Sequence, residues 1–490
     1  MGGRVCLNRH YRNTIRRNIR CGSRVQRSSP LAFHGSFAYV SWNTCSSFLW
    51  KGSVLKIVIT GAGVSGLTLA ERILSENPGY HVTVLERENA PGGLARSFHR
   101  DGFDFDIGPH RFHTANSEVD EYLRDILKGC YEEIQRNSSV YMAGKYRNWP
   151  LTLQSVLGLP LPVLWRSFLD LFRKPDIPEI RSFADFIRSR YGNNLYRFFF
   201  AGYTRKFTGL DSEELHVDWA QAGVNRAVID KRVKADNLVS LLKSMLLPKP
   251  VETTFYYPSK GGIQTFCDIQ TERIREAGGR VLTGVSAEGI VTENGRVTAV
   301  KAEGGKVFEA DTVYWTAPIS ILFPEADLRY INTLIACVAL NEKNPVNNYQ
   351  WCYFGQKEVI FSRLTVPAMF RRDCVPPERD SLIAEITCSP DSEEWKMPEK
   401  LEKRLLDDLK KVNAIKGDDV LFVDWYRIPE TYPIYSLNYR KKLAELQIPE
   451  GLIPMGRCGS FWYNNMDHSI HQALTTVSGG QFSRDFWKQG

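Results

Sequence analysis

Apolar positions along the chain change rhythm several times, and the first change sets the fold class. Residues 55–60, LKIVIT, are a short apolar run rich in β-branched side chains and closed by glycine, the pattern of a strand buried on both faces. From Val64 to Leu74 the apolar positions take helical spacing, and HVTVLE (81–86) returns to strand. In the middle of the chain, SFADFIRSRYGNNLYRFFFAGY (182–203) and WAQAGVNRAVI (219–229) again space their apolar residues as helices do. Beyond residue 320 come short apolar runs, LIACVAL, SLIAEIT and VLFVDWY, with a helix expected over 398–412. A strand–helix–strand opening, a helical centre and a strand-rich second half predict an α/β protein with more than one domain.

The join between the first strand and helix carries the first chemistry. Gly61, Gly63 and Gly66 stand in GxGxxG spacing, and Glu86 closes the second strand twenty residues after Gly66. Gly61 permits the tight turn, Gly63 lets backbone approach a pyrophosphate, and Gly66 lets the helix lie close on the strand. The helix N-terminus offers free N–H groups and a positive dipole end. Glu86 can accept ribose hydroxyls, and its charge would repel a 2′-phosphate. Strand, glycines, helix, second strand and acid are all in register, which marks a dinucleotide site rather than an ordinary βαβ unit.

Charge alters the picture less than the total suggests. Net charge is +8, but residues 1–51 hold eight Arg and one Lys and no acid, which leaves about −1 for the rest. The folded body therefore gives no electrostatic reason to expect nucleic acid. The leader is Arg-rich, Ser-containing and acid-free, which fits an organellar transit peptide, a start site set too early, or a basic arm. Without it the expected location is cytoplasmic. No run reaches the roughly 20 apolar residues of a membrane span. The segment 151–172, LTLQSVLGLPLPVLWRSFLDLF, could pack as a lid, line an apolar slot or rest on a membrane surface. Ten scattered cysteines lack CxxC spacing, so free thiols are the default.

The stretch ENAPGGLARSF puts a second glycine pair, Gly92–Gly93, just beyond Glu86. This doublet resembles that of the FAD-dependent group that includes amine oxidases, protoporphyrinogen oxidase, phytoene desaturase and UDP-galactopyranose mutase. FYYPSKGGIQTFCDIQTERIREAGGRVLTGV, with Gly261–Gly262 opening a helix, is similar to that group's return to its FAD domain. GLIPMGRCGSFWYNNMDHSIHQAL is similar to its C-terminal strand and helix. The resemblance implies a Rossmann-type FAD domain of the glutathione-reductase kind, a helical lid and a mixed β-sheet substrate domain. It implies FAD contacts from Gly61, Gly63, Gly66, Glu86, Arg87, Gly92, Gly93, Arg96, Ser97, His110, Val285, Gly456, Arg457, Asn465, Met466 and Asp467. Val285 would act through its backbone, and the helix N-terminus at Asn465–Asp467 would point at the flavin.

Within the group the nearest likeness is to the mutase branch. IGPHRFHT resembles its Gly-Pro-His-x-Phe-His-Thr run, and Tyr203, Thr204 and Lys206 match a Tyr-Thr-x-Lys segment. ETYPIYSLNY resembles a Tyr-Pro-Ile segment in which Tyr432 matches a tyrosine touching substrate phosphate. Two segments, GVNRAVIDKR (223–232) and LLKSMLLPKP (241–250), look more like protoporphyrinogen-oxidase-like relatives. The expected catalytic set is His110, Arg457, Tyr432 and Lys206, with Arg205 either beside the diphosphate or on a solvated helix face. DFDIGPHRFH (104–113) has the residue types of a metal site, but no clear fourth ligand flanks it. No metal is expected. His110 should touch flavin or substrate, His113 should support it, and Asp104 and Asp106 should pin the turn. Cys458 faces the flavin or packs in the core.

Expected boundaries are a leader over 1–53, a discontinuous FAD domain from 54–147, 255–320 and 450–490, a helical lid over 148–254, and a β-rich substrate domain over 321–449. The leading functional expectation is an FAD-dependent oxidoreductase that removes hydride from a small organic or apolar substrate. The alternative is a UDP-galactopyranose mutase-like isomerase, in which reduced flavin is the nucleophile on a UDP-sugar. The expected partner is a small molecule, a nucleotide-sugar or an apolar ring compound, with peripheral membrane contact open.

Overall fold

The computed structural model describes residues 54–149, 158–172, 175–220, 254–344, 348–417 and 419–480. The basic leader, the segments 223–232 and 241–250, most of the expected helix 219–229, residues 151–157 of the stretch 151–172 and the last ten residues lie outside them.

Five parallel strands form the sheet around which the first half is built. In spatial order they are Leu452–Pro454, Thr312–Trp315, Lys56–Thr60, His81–Leu85 and Arg280–Leu282. Lys56–Thr60 is central, and its last four residues are buried, as an all-apolar parallel strand requires. Helix Val64–Glu76 packs along helices Gln264–Glu276 and Met466–Val477, so pieces distant in sequence close over one face. The described residues make a mixed α/β structure with a Rossmann-like unit, the fold class read from the sequence.

A second sheet has seven strands, in the order Val420–Pro433, Tyr330–Leu340, Asp380–Cys388, Arg363–Thr365, Trp351–Phe354, Ser138–Met142 and Lys145–Trp149. Its pairings are antiparallel except Trp351–Phe354 on Ser138–Met142. The hairpin 138–149 differs from expectation, since sequence assigned most of it to the dinucleotide domain. Its edge pairing with a strand two hundred residues later has no local signal. In GRVTAVKAEGGKVFEADTVYW, strands Arg296–Ala302 and Lys306–Glu309 pair antiparallel around the polar turn Glu303–Gly305, and Ala287–Glu293 adds a third antiparallel strand.

Strand alternation gives this second sheet two unlike faces. Leu334, Ala336, Val338, Cys352, Phe354, Leu364, Leu382, Ala384 and Ile386 pack with Leu405 and Leu409 of helix Glu402–Lys411. The alternate positions face the other way. Part of that face, Ile335, Cys337 and Ile383, packs on Phe103, Phe105 and Ile107. The remainder is polar. Ile335, Glu385, Arg363 and Tyr353 form one register row across four strands.

The segment expected as a lid holds helices Leu161–Phe172 and Phe183–Leu195, the latter capped by a reciprocal Ser182–Asp185 pair. A wider helical turn over Tyr196–Ala201 leads into helix Gly202–Thr208. Among the described residues no helix is long and apolar enough to cross a membrane.

Candidate active site

The glycine-rich edge is built by close backbone contact. A Cβ on Gly66 would stand 2.1 Å from the Gly61 carbonyl oxygen, so no larger residue fits without moving the turn. Gly63 bridges to Gly92, and the Gly92 N–H donates to the Ala62 carbonyl at 2.8 Å. A Cβ on Gly93 would lie 3.1 Å from the Gly63 Cα. The two glycine groups therefore present one continuous strip of bare backbone at the N-terminus of helix Val64–Glu76. Glu86 is buried; its carboxylate accepts from the Ala62 and Glu88 N–H groups at 2.8 and 2.9 Å.

The other expected cofactor residues divide. Arg96 pairs with Glu88 at 2.8 Å and donates to the Gly93 carbonyl, close to the strip. Arg87 is part-exposed and reaches Glu430 at 3.3 Å. The Val285 N–H donates to the Glu86 carbonyl. Gly456 stands against Ser65 at the start of the first helix. Asn465 caps helix Met466–Val477 with His468, leaving Met466 and Asp467 in its first turn. Ser97 has a different partner set. Its hydroxyl donates to Asp106 at 2.6 Å, and Asp106 also accepts from the Tyr257 hydroxyl and the Ile263 N–H. Ser97 and Asp106 thus clasp the hairpin Ser97–Asp106 to the turn at Gly261–Gly262.

Next to the strip lies a cavity lined by Leu94, Ile107, His110, Thr333, Ile335, Arg363, Glu385, Thr431, Tyr432 and Arg457. Three expected catalytic residues meet here. His110 is surrounded by protein, its Nδ1 has no hydrogen-bond partner among the described residues, and burial with the cations Arg457 and Arg363 holds its pKa down at about 3. It is therefore neutral at physiological pH and cannot serve as a cationic acid. Arg457 donates to the Thr431 and Asn464 carbonyls at 3.2 and 2.6 Å, and its guanidinium lies 4.9 Å from the Tyr432 ring centre. Tyr432 packs on Tyr463 at 4.8 Å and Phe207 at 5.1 Å.

Lys206 is not brought together with them. Its amine donates to the Phe361 and Phe354 carbonyls at 3.0 and 3.4 Å, beside helix Glu402–Lys411 on the far side of the sheet. Burial lowers its pKa to about 8. Tyr203 packs on Tyr353 at 6.1 Å and is close enough to Arg363, Tyr463 and Tyr432 to feel their charge. Arg205 is exposed and paired with Asp211. His113 is exposed, with Nδ1 on the Thr254 carbonyl, so the two histidines of 104–113 diverge. Asp104 pairs with Arg371 and His99. Cys458 contacts the Glu430 carbonyl, and burial pushes its thiol to about 11.

Sequence reasoning missed Arg363, Glu385, Tyr353 and Tyr463. Arg363 and Glu385 form a two-pronged ion pair at 2.5 Å on neighbouring strands. The available signal was the charge itself: Glu385 is the one acid inside SLIAEIT, and Arg363 interrupts VIFSRLTV.

Residues 59–128 match the NAD(P)-binding Rossmann-like domain family. The fold is that of a group of oxidases and mutases. A crystal structure of reduced UDP-galactopyranose mutase shares 22% identity at a TM-score of 0.75, covering 87% of this chain and 93% of that one. Putrescine oxidase with bound putrescine shares 14% at 0.58, covering 87% and 99%. At these identities the likeness establishes the fold. Among curated proteins, coproporphyrinogen III oxidase of Staphylococcus aureus is 23% identical over 258 residues, 48% of this chain and 55% of its own length. The zeta-carotene-forming phytoene desaturase of Myxococcus xanthus is 24% identical over 290 residues, 54% of this chain and 53% of its own. The chain thus spans about half the length of the curated relatives it matches. The group indicated by the motifs is the group in which the relatives fall.

Proposed function

We propose that this protein is an FAD-dependent enzyme whose substrate carries a phosphate or diphosphate, acting as a sugar-nucleotide isomerase of the UDP-galactopyranose mutase kind. The residues present fit the cofactor. The bare strip at Gly61–Gly66 and Gly92–Gly93 suits a pyrophosphate, Glu86 suits a ribose, and His110 keeps an unpartnered nitrogen at the end of that strip. Gly61, Gly63, Gly66, Glu86, Arg96, His110 and the first turn of helix Met466–Val477 would hold FAD. Bound FAD would supply a nucleophilic nitrogen when reduced, or accept hydride when oxidised.

The observation that carries the finer reading is the wall opposite the strip. Arg363 and Arg457 face the cavity among Tyr203, Tyr353, Tyr432 and Tyr463, and only Glu385 answers Arg363 directly. Guanidiniums offer planar forks to phosphate oxygens, and phenols add donors. An apolar substrate would offer no acceptor to the guanidinium N–H groups that Glu385 and the Thr431 and Asn464 carbonyls do not take. In the isomerase reading, Arg363 and Arg457 retain a departing diphosphate so that it can return to the same sugar, and neutral His110 accepts or donates one hydrogen bond without adding charge. This order reverses the expectation from sequence.

Hydride removal is the second reading. It is supported by the oxidase and desaturase relatives and by the apolar stretch Leu94, Ile107 and Ile335 along one side of the cavity. Calorimetry of FAD-loaded protein with UDP tests the first reading. Binding that Arg363→Met weakens at least tenfold supports it, and no binding refutes it.

A further inference from the structure

Two more guanidiniums lie inside the molecule beside this cavity. Arg111 occupies the variable position of the IGPHRFHT run. Its guanidinium lies 4.2 Å from the centre of the Trp351 ring, and that of Arg136 lies 5.5 Å from the same ring. Neither forms an ion pair among the described residues, although the Asp467 carboxylate is within electrostatic reach of Arg111. The bonds Arg111 and Arg136 do make are to the Pro109 carbonyl and the Ser138 hydroxyl. Both are half-buried. Burial lowers the tendency of both to hold their charge, and Arg136 adds to the effect on Arg111, which is brought down to about 10.

Stability alone gives no reason for this arrangement. Burying a guanidinium without a counter-ion is costly, and cation–π contact with one indole returns a small part of that cost. Tyr353, two residues from Trp351 on the same strand face, is within electrostatic reach of Arg111, Arg136 and Arg363. Two residues of strand rise about 7 Å. The Arg111–Arg136 pair therefore adjoins the Arg363–Arg457 wall at the spacing of two groups on one small molecule.

We infer that Arg111 and Arg136, held on either side of Trp351, form a second oxyanion subsite, and that the substrate carries a further carboxylate or phosphate beyond the group taken by Arg363 and Arg457. The inference rests on reading the Arg363–Arg457 cavity as an anion site. Phosphorylated compounds with a further anionic group, such as a sugar nucleotide with a charged sugar, should therefore bind more tightly than a neutral UDP-hexose, which fills the first site alone.

The test is calorimetric titration of FAD-loaded protein with inorganic pyrophosphate at low ionic strength, with the FAD-to-protein ratio measured on every variant. Wild type should bind two equivalents. Arg111→Met and Arg136→Met should each leave one, with FAD content unchanged. Arg111→Lys should restore the second equivalent with affinity within about tenfold, which separates loss of the subsite from loss of the fold. One equivalent in wild type, abolished by Arg363→Met and untouched by Arg111→Met, overturns the subsite and leaves the proposed function standing. No pyrophosphate binding at all overturns both. Loss of FAD from Arg111→Met with two equivalents still bound assigns the pair to the cofactor and overturns the inference.

Discussion

Lys206 separates what the motif suggests from what the geometry allows. The Tyr-Thr-x-Lys match expects the amine at the substrate, whereas the structure puts it on the Phe354 and Phe361 carbonyls across the sheet. Its pKa falls from 10.5 to about 8, chiefly through burial. A drop of about 2.5 units corresponds to about 3 kcal/mol against the charged form. That is an upper bound, because the carbonyl acceptors favour the ammonium. The folded-state value lies below the unfolded one, so the native state carries this cost below pH 8 and sheds it as pH rises from about 8 to 10.5. Lys206→Met removes the cost and loses two hydrogen bonds worth about 1 kcal/mol each. The variant should match or slightly exceed wild-type stability at pH 7, then fall behind by up to about 2 kcal/mol by pH 10.5. Urea unfolding at four pH values measures the difference, and the turnover assay should show little change. A variant with unchanged pH dependence and activity reduced a hundredfold would refute the placement.

Three other outcomes follow from the same geometry. Arg363→Met should remove one of the two pyrophosphate equivalents and destabilise the protein by roughly 3–5 kcal/mol, because Glu385 is left buried without its counter-ion; denaturant unfolding with calorimetry reads both. Gly66→Ala, whose Cβ would meet the Gly61 carbonyl, should yield protein without visible flavin absorbance. His110 stays neutral in the native state down to about pH 3 while the unfolded chain takes its proton near 6.5, so wild type should lose about 2 kcal/mol relative to His110→Gln between pH 7 and 4.5. Unfolding curves at those two values check the sign.

The dinucleotide edge was legible because its signals are local. Glycine spacing, an apolar strand and a terminal acid all lie within thirty residues, and each has one physical task. His110, Tyr432 and Arg457 were legible through motif likeness, and the cavity brings them together. Lys206 and Ser97 were misjudged for a shared reason. Both are polar residues inside matching motifs, and a motif does not record which way a side chain turns. Lys206 gives its amine to the Phe354 and Phe361 carbonyls; Ser97 spends its hydroxyl on Asp106. Arg363, Glu385 and Tyr353 were invisible because they meet only through strand pairing over tens of residues. The lone charges in SLIAEIT and VIFSRLTV were readable but not their partnership.

The proposal is tested most directly by incubating dithionite-reduced, FAD-loaded protein with UDP-galactopyranose without oxygen, then separating the nucleotide sugars. A second UDP-hexose should appear with the reduced protein and not with the oxidised one, and Arg457→Met should reduce its rate at least a hundredfold. Recovery of the starting nucleotide sugar alone from the reduced protein, or protein that carries no FAD, would contradict it.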